Sequence, residues 1–138
     1  TPVTLLLKSQ GTVGTSPFAN PAAFGPLCID AAMTATSPPA PGWFGAGYGF
    51  ALDDFAMAPG NVACVATLPD PSLDANGRSF ANVAAKYVNR AVGGHTQLRL
   101  RFTNGSDGNS SNNYVSWYAG DAGEPDAPQL IFTATRPN

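Results

Sequence analysis

Glycine and proline interrupt this chain too often for a long helix to form anywhere in it. Fifteen glycines and thirteen prolines are spread over 138 residues. Inside a helix each glycine costs about 1 kcal/mol and each proline about 3 kcal/mol relative to alanine. Between these breakers lie short runs in which apolar and polar residues alternate, as they do in strands with one dry and one wet face. The clearest is Gln97–Phe102, QLRLRF, with Leu98, Leu100 and Phe102 on one face and Arg99 and Arg101 on the other. The two arginines face away from the core, towards a ligand, a neighbouring carboxylate, another subunit or water.

Similar runs read as strands at Val3–Lys8, Leu27–Ala31, Asn61–Leu68, Ser79–Tyr87, Tyr114–Tyr118 and Gln129–Thr135. In Ser79–Tyr87 the abundance of alanine makes a helix the competing assignment. Leu52–Phe55 reads as a turn or a single helical turn that Asp53 could cap. TATSPPAPGWFGAGYGF reads as a long ordered loop or a broken edge strand. About seven or eight short strands separated by turns indicate an all-β fold, an antiparallel β-sandwich of jelly-roll type spanning residues 1–138 as one domain. A chain of this length buries a substantial core without many disulfides.

Charged residues make up 12% of the chain, about half the usual share. The net charge is −2, and the seven basic residues form no patch, so nucleic-acid binding has no electrostatic footing. No apolar run approaches the ~20 residues of a membrane-spanning helix. The opening TPVTLLLK has neither an initiator methionine nor a charged-then-apolar leader, and it reads as the start of a mature or excised fragment. Cys28 in PLCID and Cys64 in VACVA both sit in apolar runs. They are either two buried thiols or one disulfide between two strands, and the low-charge, secreted character of the chain favours the disulfide.

The C-terminal third, TQLRLRFTNGSDGNSSNNYVSWYAGDAGEPDAPQLIFTATRP, resembles the tail of DNRLRE-type β-sandwich domains of secreted and surface proteins in bacteria and some archaea, often grouped with carbohydrate-binding modules. The matching pieces are Thr96–Phe102, Asp107–Asn113, Tyr114–Tyr118, Gly120–Asp121 and Pro128–Phe132. TLLLKSQGTVGTSPF, GWFGAGYGFALDDF and KYVNRAVGGHTQ extend the resemblance loosely over nearly the whole chain. It implies a non-catalytic carbohydrate-binding or adhesive module outside the cell. Two departures stand out. Family domains usually carry further strands before the position of Thr1, and Cys28 and Cys64 replace residues that are more often plainly apolar. A sandwich short of strands exposes an edge that another chain could complete. The second expectation is therefore a structural subunit of an extracellular filament or surface assembly.

The residues suggest no enzyme. His95 is the only histidine, and no nucleophile–histidine–acid spacing, zinc motif or phosphate loop is present. Asp53 and Asp54 are adjacent, so in a strand they would face opposite ways. For metals, Asp107 among asparagines and serines, with Asp121, Glu124 and Asp126 nearby in sequence, forms a thin calcium candidate; Asp107 and Asp121 are its named ligands. For sugars, the candidate stacking faces are Trp43, Tyr48, Tyr114 and Tyr118. Trp117 is placed in the core because Ser116 marks the wet face. If their strands pair, Tyr114 and Tyr118 stand beside Arg99 and Arg101 in a surface suited to sugar hydroxyls, acidic sugars or a protein partner. Asn104 and Asn109 begin glycosylation sequons.

Overall fold

The computed structural model describes residues 3–32, 64–89, 96–104 and 110–132. Seven strands are found among them: β1 (Val3–Val13), β2 (Leu27–Ala32), β3 (Ala66–Leu68), β4 (Arg78–Val83), β5 (Gln97–Phe102), β6 (Tyr114–Trp117) and β7 (Gln129–Ile131). One short helix, α1 (Pro21–Phe24), and four single 3-10 turns are the other regular elements among the described residues. The fold is all-β, with the strands in two antiparallel sheets.

β1 is the spine of the first sheet. β4 runs along one side of it, from Val3↔Val83 to Lys8↔Arg78. On the other side β7 pairs with Thr4–Leu6, and β6 then takes over from Ser9↔Trp117 to Val13↔Tyr114, past a bulge between Ser9 and Gly11. The second sheet has the order β3-β2-β5, with β2 and β5 in register from Leu27↔Phe102 to Ala32↔Gln97.

The inner faces of the two sheets build one core. Leu5, Leu7, Ala81 and Val83 come from the first sheet, and Leu27, Ile29 and Leu68 from the second. Leu98, Leu100, Phe102, Trp117 and Leu130 pack against this cluster. The alternation in QLRLRF and YVSW is thus honoured. Ile29 and Val83 are wholly buried, each contributing about 1.5–3 kcal/mol of apolar burial. Ser79 shares the inner face and is also wholly buried, and its hydroxyl donates to the Pro69 carbonyl at 2.7 Å.

Between β1 and β2 the chain crosses from one sheet to the other through two capped turns. The Ser16 hydroxyl accepts from the Phe18 N–H, and the Asn20 side chain accepts from the Ala23 N–H. Gly25 then ends α1 at φ +70°, a conformation in which a Cβ would lie 1.8 Å from Thr103 Oγ1.

Several boundaries differ from the sequence expectation. β1 continues past Lys8 to Val13, because β6 offers a partner where β4 has ended. The strand expected at Asn61–Leu68 is limited, among the described residues, to Ala66–Leu68. Cys64 has φ +51°, which breaks an extended chain, and the disulfide therefore joins a strand to a turn and not two strands. The run Ser79–Tyr87 is strand only to Val83. Ala85–Tyr87 form a 3-10 turn that brings Tyr87 against the core from outside the sheet. β7 ends at Ile131, and residues 133–135 of that expectation lie outside the described residues. No helix among the described residues is long and apolar enough to cross a membrane.

Candidate functional site

β2 is buried on both faces. Leu27, Ile29 and Ala31 face the core, while Cys28 and Asp30, on the opposite face, are also 0% exposed. A carboxylate buried in this way has to be paired. Asp30 Oδ2 accepts from Arg99 Nη2 at 2.9 Å, from Arg99 Nε at 3.3 Å and from Arg101 Nε at 2.6 Å. Oδ1 accepts from Arg101 Nη2 at 3.3 Å and from the Cys64 N–H at 2.8 Å. Burial alone would raise the Asp30 pKa. The hydrogen bonds from Arg101, Cys64 and Arg99 outweigh it and hold the carboxyl below its ordinary value.

The Cys28–Cys64 disulfide spans 36 residues and presents the Cys64 amide to this carboxylate. The outer face of the second sheet therefore carries a polar layer of one disulfide, one buried carboxylate and two guanidinium groups. Among the alternatives open to Arg99 and Arg101, the neighbouring carboxylate is the one found. Asp30 is a residue that the sequence reading passed over. Its signal was there: a lone acid inside the apolar strand LCIDA.

The condition that the arginine strand pairs with the tyrosine strand is not met. β5 lies in the second sheet and β6 in the first. Arg101 and Tyr114 nevertheless line the same cleft of about 290 Å³, with Phe24, Phe102, Asn104 and Asn113. The hydrogen bonds Thr103 N–H to Pro26 O and Asn104 N–H to Phe24 O tie the end of β5 to the Gly25 turn and fix one wall. Asn113 Oδ1 accepts from the Thr15 N–H at 2.9 Å and fixes the other. Tyr114 is 50% exposed. The Arg101 side chain is 28% exposed, and its Nη1 has no hydrogen-bond partner among the described residues.

Tyr118 is not among the lining residues of that cleft. It lies under the Lys8 ammonium, 5.5 Å from the ring centroid, and Lys8 also pairs with Asp126. A second, wider groove of about 550 Å³ runs beside the C-terminal half of β1, between Ser9–Gly14 and the Asp70–Gly77 link. It contains no aromatic residue.

The remaining candidates divide into two groups. Trp43, Tyr48, Asp53, Asp54, His95, Asp107 and Asn109 lie outside the described residues. Asp121 sits in an exposed 3-10 turn, Glu124 accepts from Gln129 Nε2 at 2.7 Å, and Asp126 is engaged by Lys8. Among the described residues no three histidine, cysteine, aspartate or glutamate side chains come together as a metal site. Comparison with known proteins finds no matching family model, no similar curated protein and no similar solved structure.

Proposed function

We propose that this protein is a non-catalytic, extracellular glycan-binding β-sandwich module whose ligand sits in the cleft at Tyr114 and Arg101. The observation that carries this reading is a half-exposed aromatic ring beside a guanidinium that a buried carboxylate already holds in place. Stacking of a pyranose ring on Tyr114 would supply the apolar contact. Arg101 would offer Nη1 without first losing side-chain freedom, and the Asn104 and Asn113 amides suit sugar hydroxyls. Arg101 brings a guanidinium to the cleft, so the acidic sugars of polyuronates are the preferred class. The disulfide suits an oxidising compartment.

The test is binding of defined oligosaccharides, oligouronides against neutral oligomers, by calorimetry on protein from a host that does not glycosylate Asn104. Binding that Tyr114→Ala and Arg101→Ala reduce at least about tenfold supports the reading. Binding that both variants leave unchanged, or no binding to any glycan class, overturns it.

A second reading is a structural subunit of an extracellular filament or surface assembly. A specific observation favours it too: no described strand covers the edge of β1 opposite β6.

A further inference from the structure

We infer that the edge of β1 from Gln10 to Val13, which no described strand covers, pairs antiparallel with the same stretch of a second copy of this chain about a two-fold axis. β1 has eleven residues, and β4 covers one side of it only from Val3 to Lys8. The last bond on that side is from the Ser9 N–H to Gly77 O at 2.8 Å, after which the chain of Gly77 leads away into the Asp70–Gly77 link. On the opposite side β6 holds Gly11–Val13 in register. Gly11–Val13 is thus held by β6 on one edge, and no described strand covers its other edge.

Exposure agrees with this. Every residue from Gln10 to Thr15 is exposed, and the groove of about 550 Å³ lies along the uncovered edge. Natural sheets usually protect such an edge with charge, proline or a covering segment. Here the bulge between Ser9 and Gly11 is one such device, but no charged residue occurs between Lys8 and Asp30, and the first proline after Lys8 is Pro17. Gly14, at φ +69°, ends the extended stretch.

The chemistry of the groove selects the occupant. Its two carboxylates are already engaged: Asp70 accepts from the Ser72 N–H at 2.9 Å, and Asp74 accepts from the Asn76 N–H and from Arg78. An uncharged, extended strand can therefore pair along this edge without burying an unpaired charge. Gln10-Gly11-Thr12-Val13 is such a strand, and antiparallel self-pairing of one edge is the self-complementary contact that a two-fold axis requires. This inference deepens the assembly reading and is independent of the glycan reading.

The experiment is light scattering over a wide concentration range, joined to hydrogen exchange of the β1 amides. The full chain is used, both as wild type and as Gln10→Lys/Thr12→Lys, whose charges sit on an exposed, uncovered edge. The expected result is a dimer with amides in Gln10–Val13 that gain protection with concentration. In the lysine variant the dimer dissociates at least about tenfold more readily while melting stays unchanged. A monomer at every concentration, with fast exchange in Gln10–Val13, overturns the inference and the assembly reading together. A dimer or a larger particle that the lysine variant does not weaken overturns the pairing proposed here and leaves assembly through another surface standing.

Discussion

Arg101 Nε lies 2.6 Å from Asp30 Oδ2, although the residue directly across the strands from Arg101 is Cys28 and not Asp30. The contact is diagonal. It lets one carboxylate take a guanidinium from its direct partner, Arg99, and another from the next residue along on the same face of β5. A like-charged pair in one strand, otherwise mildly unfavourable, becomes a cradle for a buried acid.

Removing that acid takes away the carboxylate that the two guanidinium groups share. Asp30→Asn is expected to lower stability by roughly 3–5 kcal/mol at neutral pH, measured by denaturant unfolding. A loss of under about 1 kcal/mol would mean that the cluster is incidental to the fold.

The same carboxylate sets an acid limb. Its pKa is lowered in the folded protein, so its stabilising effect is complete above the unfolded carboxylate value of about 3.9. The effect is lost as pH falls from there through the lower folded value. Stability measured on descending pH should fall in that window in the wild type. The fall should be shallower in Asp30→Asn, and identical slopes would contradict the assignment.

The disulfide closes a loop between Cys28 and Cys64 with a sequence separation of 36. The chain-entropy model gives about 4 kcal/mol for a loop of this size. The double variant Cys28→Ala/Cys64→Ala should lose about that much and should also loosen the Cys64 amide from Asp30. The Asp30 pKa, followed by carbonyl NMR, should then move up.

Gly25 is the hinge of the cleft wall. With φ +70° and Thr103 Oγ1 at 1.8 Å from a hypothetical Cβ, Gly25→Ala combines backbone strain with a clash. It should cost about 1–3 kcal/mol in thermal unfolding. It should also weaken glycan binding, because Phe24 and Asn104 move with the turn.

The two tyrosines of YVSWY separate the cleft from the rest of the first sheet's surface. Tyr118→Ala should leave oligosaccharide affinity unchanged and cost up to about 1 kcal/mol through the lost Lys8 contact. Tyr114→Ala should do the reverse, abolishing binding with little change in melting. Equal losses of affinity in both variants would place the ligand elsewhere.

Much of this protein was legible in its sequence. Alternation placed Leu98, Leu100, Phe102 and Trp117 against the core and Arg99 and Arg101 on the other face, since successive side chains of a strand must point opposite ways. The spacing of glycine and proline indicated short strands and an all-β fold. The favoured pairing of Cys28 with Cys64 is present. What alternation could not supply is which strand lies next to which. Pairing of β5 with β2, and not with β6, is a long-range choice made by the packing of whole faces. That choice delivered Asp30 to the arginines, turned an expected outer surface into a buried ion cluster, and left Arg101 and Tyr114 on different sheets, sharing only a cleft. The edge of β1 that no described strand covers was hidden for the same reason. A strand's own residues do not reveal where its neighbour stops.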